Sequence, residues 1–217
     1  MPAPFGTRGA AMTQREASEN QIRIMDAAAE EFMRAGFDAA SIDDIARRIG
    51  QTKGFIYYNF RSKVEIFFAV YERGMEMVRD EVTPFADGPG NALERLHRMA
   101  RAHLVNLMDT VAYHDVIHQG IEQRLRMRLT ESQRETLIGL NSLRDEYEAL
   151  FRAVIEEGVA EGSIRPLPVA VAARTLLGGL NAVDIWYRKE KDHEAASVEE
   201  LASQVSDVLV SGFHHKS

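Results

Sequence analysis

The 217-residue chain contains no cysteine, which excludes disulfides, thiolate metal sites and a cysteine nucleophile. No apolar run reaches the roughly 18 residues that suggest a membrane span. Met1–Asn20 lacks the apolar core of a signal peptide, so a cytoplasmic protein is expected. Runs of alternating β-branched residues are missing, which argues against a sheet. No Gly-rich phosphate loop, Gly-x-Ser-x-Gly elbow, His-Glu-x-x-His pattern or recognisable pair of catalytic carboxylates is present. Without these no enzyme is indicated, and neither a cofactor nor a metal is expected.

What is present is an ordinary globular balance, 45% hydrophobic and 27% charged residues. The net charge of −7 is unevenly spread: residues 1–63 hold nine Lys/Arg and eight Asp/Glu, and residues 64–217 hold 17 and 25. A near-neutral head on an acidic body suits a modular protein whose body stays off a polyanion. Helical periodicity dominates, and an all-α fold of about nine helices is expected. Residues 1–19, with Pro2, Pro4, Gly6 and Gly9, read as a disordered arm within which Met12 is an alternative start. A first helix spans about Asn20–Ala35 and closes at Gly36. Short helices follow from Ser41 to Gly50 and from Thr52 to Asn59, and a longer one covers Ser62–Glu81. The Thr83–Asn91 stretch breaks the chain. Further helices are expected at 91–109, 111–127, 131–161, 168–189 and 197–212. This divides the chain into an arm (1–19), a three-helix head (20–63) and a larger helical body (64–217).

The head carries the most specific pattern. In SIDDIARRIGQTKGFIYYNFRSK, Ser41 to Lys63, Ala46 is small enough for two helices to cross, and Gly50 four residues on tolerates the positive φ of a tight turn. Ile42, Ile45, Ile49 and Ile56 form an inner face. Outward-facing residues offer donors, a cation and aromatic hydroxyls suited to the major groove of DNA, and Lys63 beside the helix start at Ser62 can meet phosphate. The candidate DNA-facing set is Ser41, Gln51, Thr52, Lys53, Gly54, Tyr57, Tyr58, Asn59 and Lys63.

This segment and the helix before it resemble the DNA-binding domain of the TetR family of bacterial regulators. Phe32, Gly36, Phe37, Ser41, Ile42, Ile45, Ala46, Gly50, Lys53, Gly54, Tyr57, Tyr58, Phe60 and Lys63 match the family pattern. Gln51 departs from it, because a small apolar residue is usual after the turn glycine. The resemblance implies a homodimeric repressor that binds a palindromic double-stranded operator and is released by a small ligand. Glu157-Gly158, Gly162, Leu177–Asn181 and Trp186-Tyr187-Arg188 are similar to a subgroup controlling fatty-acid, phenylacetate and sterol-side-chain catabolism. Members of that subgroup commonly respond to acyl-CoA thioesters, which makes such a thioester the implied effector.

In the body, Val169, Ala172, Leu176, Gly179, Leu180, Val183 and Tyr187 form one apolar stripe, and Leu201, Val205, Val208 and Leu209 form another. Helices 168–189 and 197–212 with their two-fold mates would make a four-helix dimer interface; the alternative is ordinary core within one chain. Apolar stripes interrupted by polar groups mark a candidate ligand cavity lined by His103, Leu107, Tyr113, Ile117, Tyr147, Phe151, Asn181 and Trp186. His103 also fits a buried core histidine, and Trp186 a packing residue. Arg98, Arg101, Arg124, Arg126 and Arg128 can hold CoA phosphates or simply form a solvated face. His114 and His118, with Asp115 and Glu122 nearby, have a spacing that can bind zinc, and capping or solvated histidines are the plainer reading. Two other functions remain open: an efflux-pump repressor responding to hydrophobic drugs, and, in a different class, a helical enzyme or a purely structural helical protein.

Overall fold

The computed structural model describes residues 14–118, 129–187 and 197–213. Ten helical segments and no strand occur among these residues: α1 Gln14–Ala39, α2 Ile42–Arg48, α3 Lys53–Asn59, α4 Lys63–Ala86, α5 Ala92–Asp109, α6 Val111–His118, α7 Glu131–Glu161, α8 Val169–Asn181, the single turn α9 Val183–Trp186 and α10 Val198–Ser211. They form two compact units, Met1–Phe67 and Phe68–Ser217, with α4 supplying residues to both.

The first unit packs α1, α2 and α3 against one another. Its core contains Ile24, Ala28, Phe32, Ile45, Ile56 and Ile66, all at 0% exposure. Phe32, Phe37 and Phe67 meet in a ring cluster with centroids 5.3–5.8 Å apart, a geometry that adds to the burial of each ring. α1 begins at Gln14 rather than Asn20. The expected breakers all lie upstream, and Gln14–Glu19 contains neither Gly nor Pro, so helix propensity carries through. Gly36, at φ 75°, interrupts α1 at the position expected to end it.

Polar order in this unit centres on Glu31, which is 2% exposed. Its carboxylate accepts from Arg34 Nη2 at 2.5 Å and from Arg48 Nε at 3.3 Å, while Arg48 Nη1 reaches Glu30 at 2.5 Å. The Arg34 hydrogen bond holds the Glu31 carboxyl below its ordinary range, despite the opposing effect of burial.

In the second unit α5 is the spine, packed against α6, α7, α8 and α10. Leu96, Met99, Ala100, Leu104 and Leu107 are fully buried along it. Asn91 and Glu94 close a capping box at its start, and Thr130 and Gln133 do the same for α7; each such cap is worth about 1 kcal/mol. Gly162, at φ 83°, ends α7. Contrary to the expected break at Thr83, α4 runs through Pro84 to Ala86. A proline in the final turn removes one hydrogen bond, whereas the terminal carbonyl of Ala86 gains one from Arg95 Nη1 at 2.6 Å and Val82 is fully buried.

The helix expected at 168–189 is interrupted at Ala182. Its Val169–Trp186 stretch is long and apolar enough to cross a membrane by length and composition, with mean hydropathy 1.2, although Arg174 and Asp184 lie within it. Glu122, Arg124, Arg126, Arg128 and Met12 lie outside the described residues.

The Glu31 arrangement predicts an acid-sensitive head. Its lowered folded pKa contributes stability that is present above the unfolded value, about 4.5, and is lost as pH falls through the folded one. Glu31→Gln should therefore lose about 1–3 kcal/mol at neutral pH, with the gap from wild type closing below pH ~4.5 in urea titrations.

Candidate functional site

Two places in the chain concentrate chemistry, one in each unit. In the first, the α2–α3 turn is closed by backbone alone. Ser41 caps α2 by accepting from Asp44 N at 3.1 Å. At the other end Gln51 N donates to Ala46 O at 2.9 Å and Gly50 N to Arg47 O at 3.2 Å, the paired bonds of a Schellman motif with Gly50 at φ 66°. The turn is intact with Gln51 in place, since only the backbone of that residue is used. Thr52 then caps α3 by accepting from Phe55 N at 3.3 Å.

This geometry leaves Gln51, Thr52, Lys53, Gly54, Tyr57 and Tyr58 exposed together. Tyr58 is 72% exposed and Tyr57 47%, unusual for residues so large and apolar. Lys53 Nζ lies 3.0 Å from Asp43, an exposed pair that leaves the cation available to a stronger anion. The remaining members of the set have structural duties. Asn59 Nδ2 donates to Phe55 O at 2.9 Å, and the Ser41 hydroxyl is engaged by Asp44. Lys63 Nζ donates to the carbonyls of Phe37, Asp38 and Ala40 at 2.6, 3.2 and 2.8 Å, and burial lowers its pKa. All three of its donors are occupied, so a phosphate contact from Lys63 would have to displace a carbonyl.

In the second unit a cavity of about 510 Å³ opens among α4, α5, α6, α7 and α8. Of the residues expected to line it, His103, Ile117, Tyr147 and Asn181 do so. Leu107 and Phe151 are instead fully buried in the core, Phe151 with its ring against Tyr147 at 5.4 Å. Tyr113 turns toward α4, where its hydroxyl accepts from Arg73 Nε at 3.2 Å. Gly74 permits that approach, because a Cβ there would stand 2.9 Å from Ile117 and 3.3 Å from Tyr113. Trp186 is 50% exposed, carried outward beyond the interruption at Ala182.

Met75, Val78, His114, His118, Asn141, Arg144, Asp145, Glu148, Arg174, Leu177 and Gly178 complete the lining. Asn141, Arg144, Asp145 and Glu148 follow an i, i+3, i+4, i+7 spacing on α7, a signal available in the sequence but hidden by their polarity. Arg98 and Arg101 do not line the cavity; Arg98 donates to Pro89 O and Arg101 to Glu199 at 2.6 Å.

The inner part of the cavity is polar. His103 Nδ1 hydrogen-bonds with Tyr147 Oη at 2.9 Å, His114 Nε2–H donates to Asn106 Oδ1 at 3.0 Å, and His118 Nδ1–H donates to Asp184 at 2.9 Å. The three imidazoles lie in succession, with centroids 5.6 and 5.9 Å apart. Among the described residues no group of three His, Asp or Glu is placed to hold a metal ion. Burial pushes the His103 pKa down to about 3, with the neighbouring charge of His118 adding to it and Asn181 opposing. Burial likewise lowers His114 and raises Tyr147. The inner wall thus presents neutral hydrogen-bonding groups at pH 7. Toward solvent, Arg174 pairs with Glu148 at 3.1 Å.

Because its folded pKa is depressed, His103 contributes stability that is present above pH 6.5 and lost as pH falls from there toward 3. NMR titration should keep its ring neutral well below pH 5, and His103→Gln should flatten this part of the stability–pH curve.

A family model described as bacterial regulatory proteins, tetR family, matches residues 24–70. A second, described as a tetracyclin repressor-like C-terminal domain, matches residues 89–213. The fatty acid metabolism regulator protein of Bacillus subtilis (strain 168) is 24% identical over 197 residues, 90% of this chain and 96% of that protein. Among solved structures, the TetR family transcriptional regulator PfmR from Thermus thermophilus superposes with a TM-score of 0.75 at 27% identity, covering 89% of this chain and 100% of that one. AibR in complex with isovaleryl coenzyme A and operator DNA superposes at 0.72 with 22% identity, covering 90% and 98%.

Proposed function

This chain belongs to the tetR family of bacterial regulatory proteins, and we propose that it is a homodimeric cytoplasmic repressor released from a palindromic operator by an acyl-CoA thioester. The observation that carries the reading is a DNA-suited face and a partly polar cavity in one chain, with α4 contributing to both units. We assign the protein no catalytic role.

DNA recognition is given to the exposed side chains from Gln51 to Tyr58. Lys53 and the tyrosine hydroxyls suit phosphate and base-edge contacts, and two heads about one helical turn apart read the halves of a palindrome. Dimerisation is supported by apolar side chains left exposed on α8 and α10. Val171 is 62% and Val208 74% exposed, and Leu201 and Val205 are half-buried beside the latter. Burying such a stripe against its two-fold mate is the simplest solution for a chain of this kind.

The effector class is supported by the cavity and by the relatives. Arg144 lines its outer part, and an arginine fork suits phosphate. The similar Bacillus protein is a fatty acid metabolism regulator, and AibR holds isovaleryl coenzyme A. A hydrophobic cation is less well served, because Glu148 and Asp184 are already paired with Arg174 and His118. Met75 and Val78 carry the effector contact to α4, whose first residue, Lys63, is tied to α1. Effector binding then shifts the population of α4 positions, and operator and effector weaken each other by the same factor. AibR in its complex holds both ligands at once, so coupling of this sort need not be all-or-none.

Lys53→Ala and Tyr58→Ala should each reduce operator affinity by about tenfold or more in gel-shift titrations while leaving the circular dichroism spectrum unchanged. Equal effector affinity with and without operator would refute the release mechanism. Val208→Glu should shift the protein toward monomer in sedimentation equilibrium and abolish tight operator binding, whereas a dimer of unchanged stability would remove α10 from the interface.

A further inference from the structure

The cavity in the second unit has walls of mixed character. Met75, Val78, Ile117 and Leu177 are apolar, whereas the groups between them are imidazoles, amides and a phenol, with the charged side chains of Arg144, Asp145, Glu148 and Arg174 on α7 and α8. Two buried polar atoms among these make no hydrogen bond: His103 Nε2 and Asn141 Oδ1. His103 is 2% exposed, and its other ring nitrogen is already engaged by Tyr147 at 2.9 Å. Asn181 lies close enough to influence the ring without forming a well-aligned bond to Nε2. Unpaired buried groups are uncommon in native proteins, and two in one cavity require an explanation.

We propose that His103 Nε2 and Asn141 Oδ1 recognise a neutral oxygen on the effector, so that the effector is a thioester whose acyl group carries a hydroxyl or keto oxygen. The inference rests on the acyl-CoA reading above and narrows it. A hydroxyl both donates and accepts, and so suits either unpaired atom; a keto oxygen suits Nε2 in the tautomer that carries its proton there. A plain hydrocarbon chain would bury both atoms without partners. A carboxylate at this place would meet a neutral His103 ring rather than a cation. Discrimination by such a site is strong, because the analogue lacking the oxygen leaves the protein groups unsatisfied, whereas an apolar pocket separates homologues only weakly.

The test is titration calorimetry on the full-length protein with matched pairs of CoA thioesters. Each pair comprises a saturated acyl group and its hydroxy or keto counterpart, at several chain lengths, with free coenzyme A as the reference. The oxygenated member should bind at least about tenfold more tightly. His103→Leu and Asn141→Leu should each erase that preference, chiefly by weakening the oxygenated member. Asn141 is only half-buried, so Asn141→Leu keeps the test decisive if His103→Leu fails to fold. Saturated members binding as tightly or more tightly overturn the inference and leave the acyl-CoA reading standing, as does a preference that survives in both folded variants. Failure of every thioester to bind above free coenzyme A overturns both.

Discussion

The ammonium of Lys63 occupies the place on which the head depends. It stands at the first residue of α4 and donates to three carbonyls around the end of α1, while lying 4.5 Å from the centre of the Phe37 ring. Helix ends leave carbonyls without intrahelical partners, and a cation there satisfies them and offsets the negative end of the dipole. One side chain therefore fixes the start of α4 against residues 23 to 26 positions earlier in sequence. The Phe32–Phe37–Phe67 cluster shares Phe37 with these contacts and makes the junction apolar beside its polar cap. Any rotation of α4 at this end must take the head with it or break these bonds.

The second unit is organised around the opposite problem, that of keeping polar groups inside a helical core without charging them. α5 places His103 and Asn106 on its buried face. Tyr147 and His114 answer them, and burial keeps His103, His114 and Tyr147 in their neutral forms. Charged side chains stand toward the outer part, where Arg174 pairs with Glu148, and the His118 ring donates to Asp184. Two acids at or beside the cavity, Glu148 and Asp184, are partnered before a ligand arrives.

Local chemistry determines how much of this is legible in the sequence. The turn at Ala46 and Gly50, the caps Ser41 and Thr52 and the α5 stripe are readable because each depends on spacing within one or two helical turns. The Lys63 interaction is not, since its partners are backbone carbonyls that no residue type betrays. The cavity is half legible: His103, Ile117, Tyr147 and Asn181 stand out as interruptions in apolar stripes. Leu107 and Phe151 mislead because an inward-facing residue can meet either a void or another side chain, and periodicity does not tell these apart. Trp186 misleads because the helix register changes at Ala182. Asn141 and Arg144 escape notice because polar residues on a long helix read as a solvated face.

The α2–α3 turn has one more consequence. It is held by Gly50, by main-chain hydrogen bonds and by the buried isoleucines, none of which belongs to the exposed face between Gln51 and Tyr58. Apart from Thr52, which caps α3, those outward side chains carry little of the folding load, so they can diverge by single substitutions while the scaffold stays fixed. The unusual Gln51 is an instance of that freedom. In a lineage of duplicated genes, such a head can acquire a new address on the chromosome without relearning how to fold, and the sensing half can be inherited unchanged.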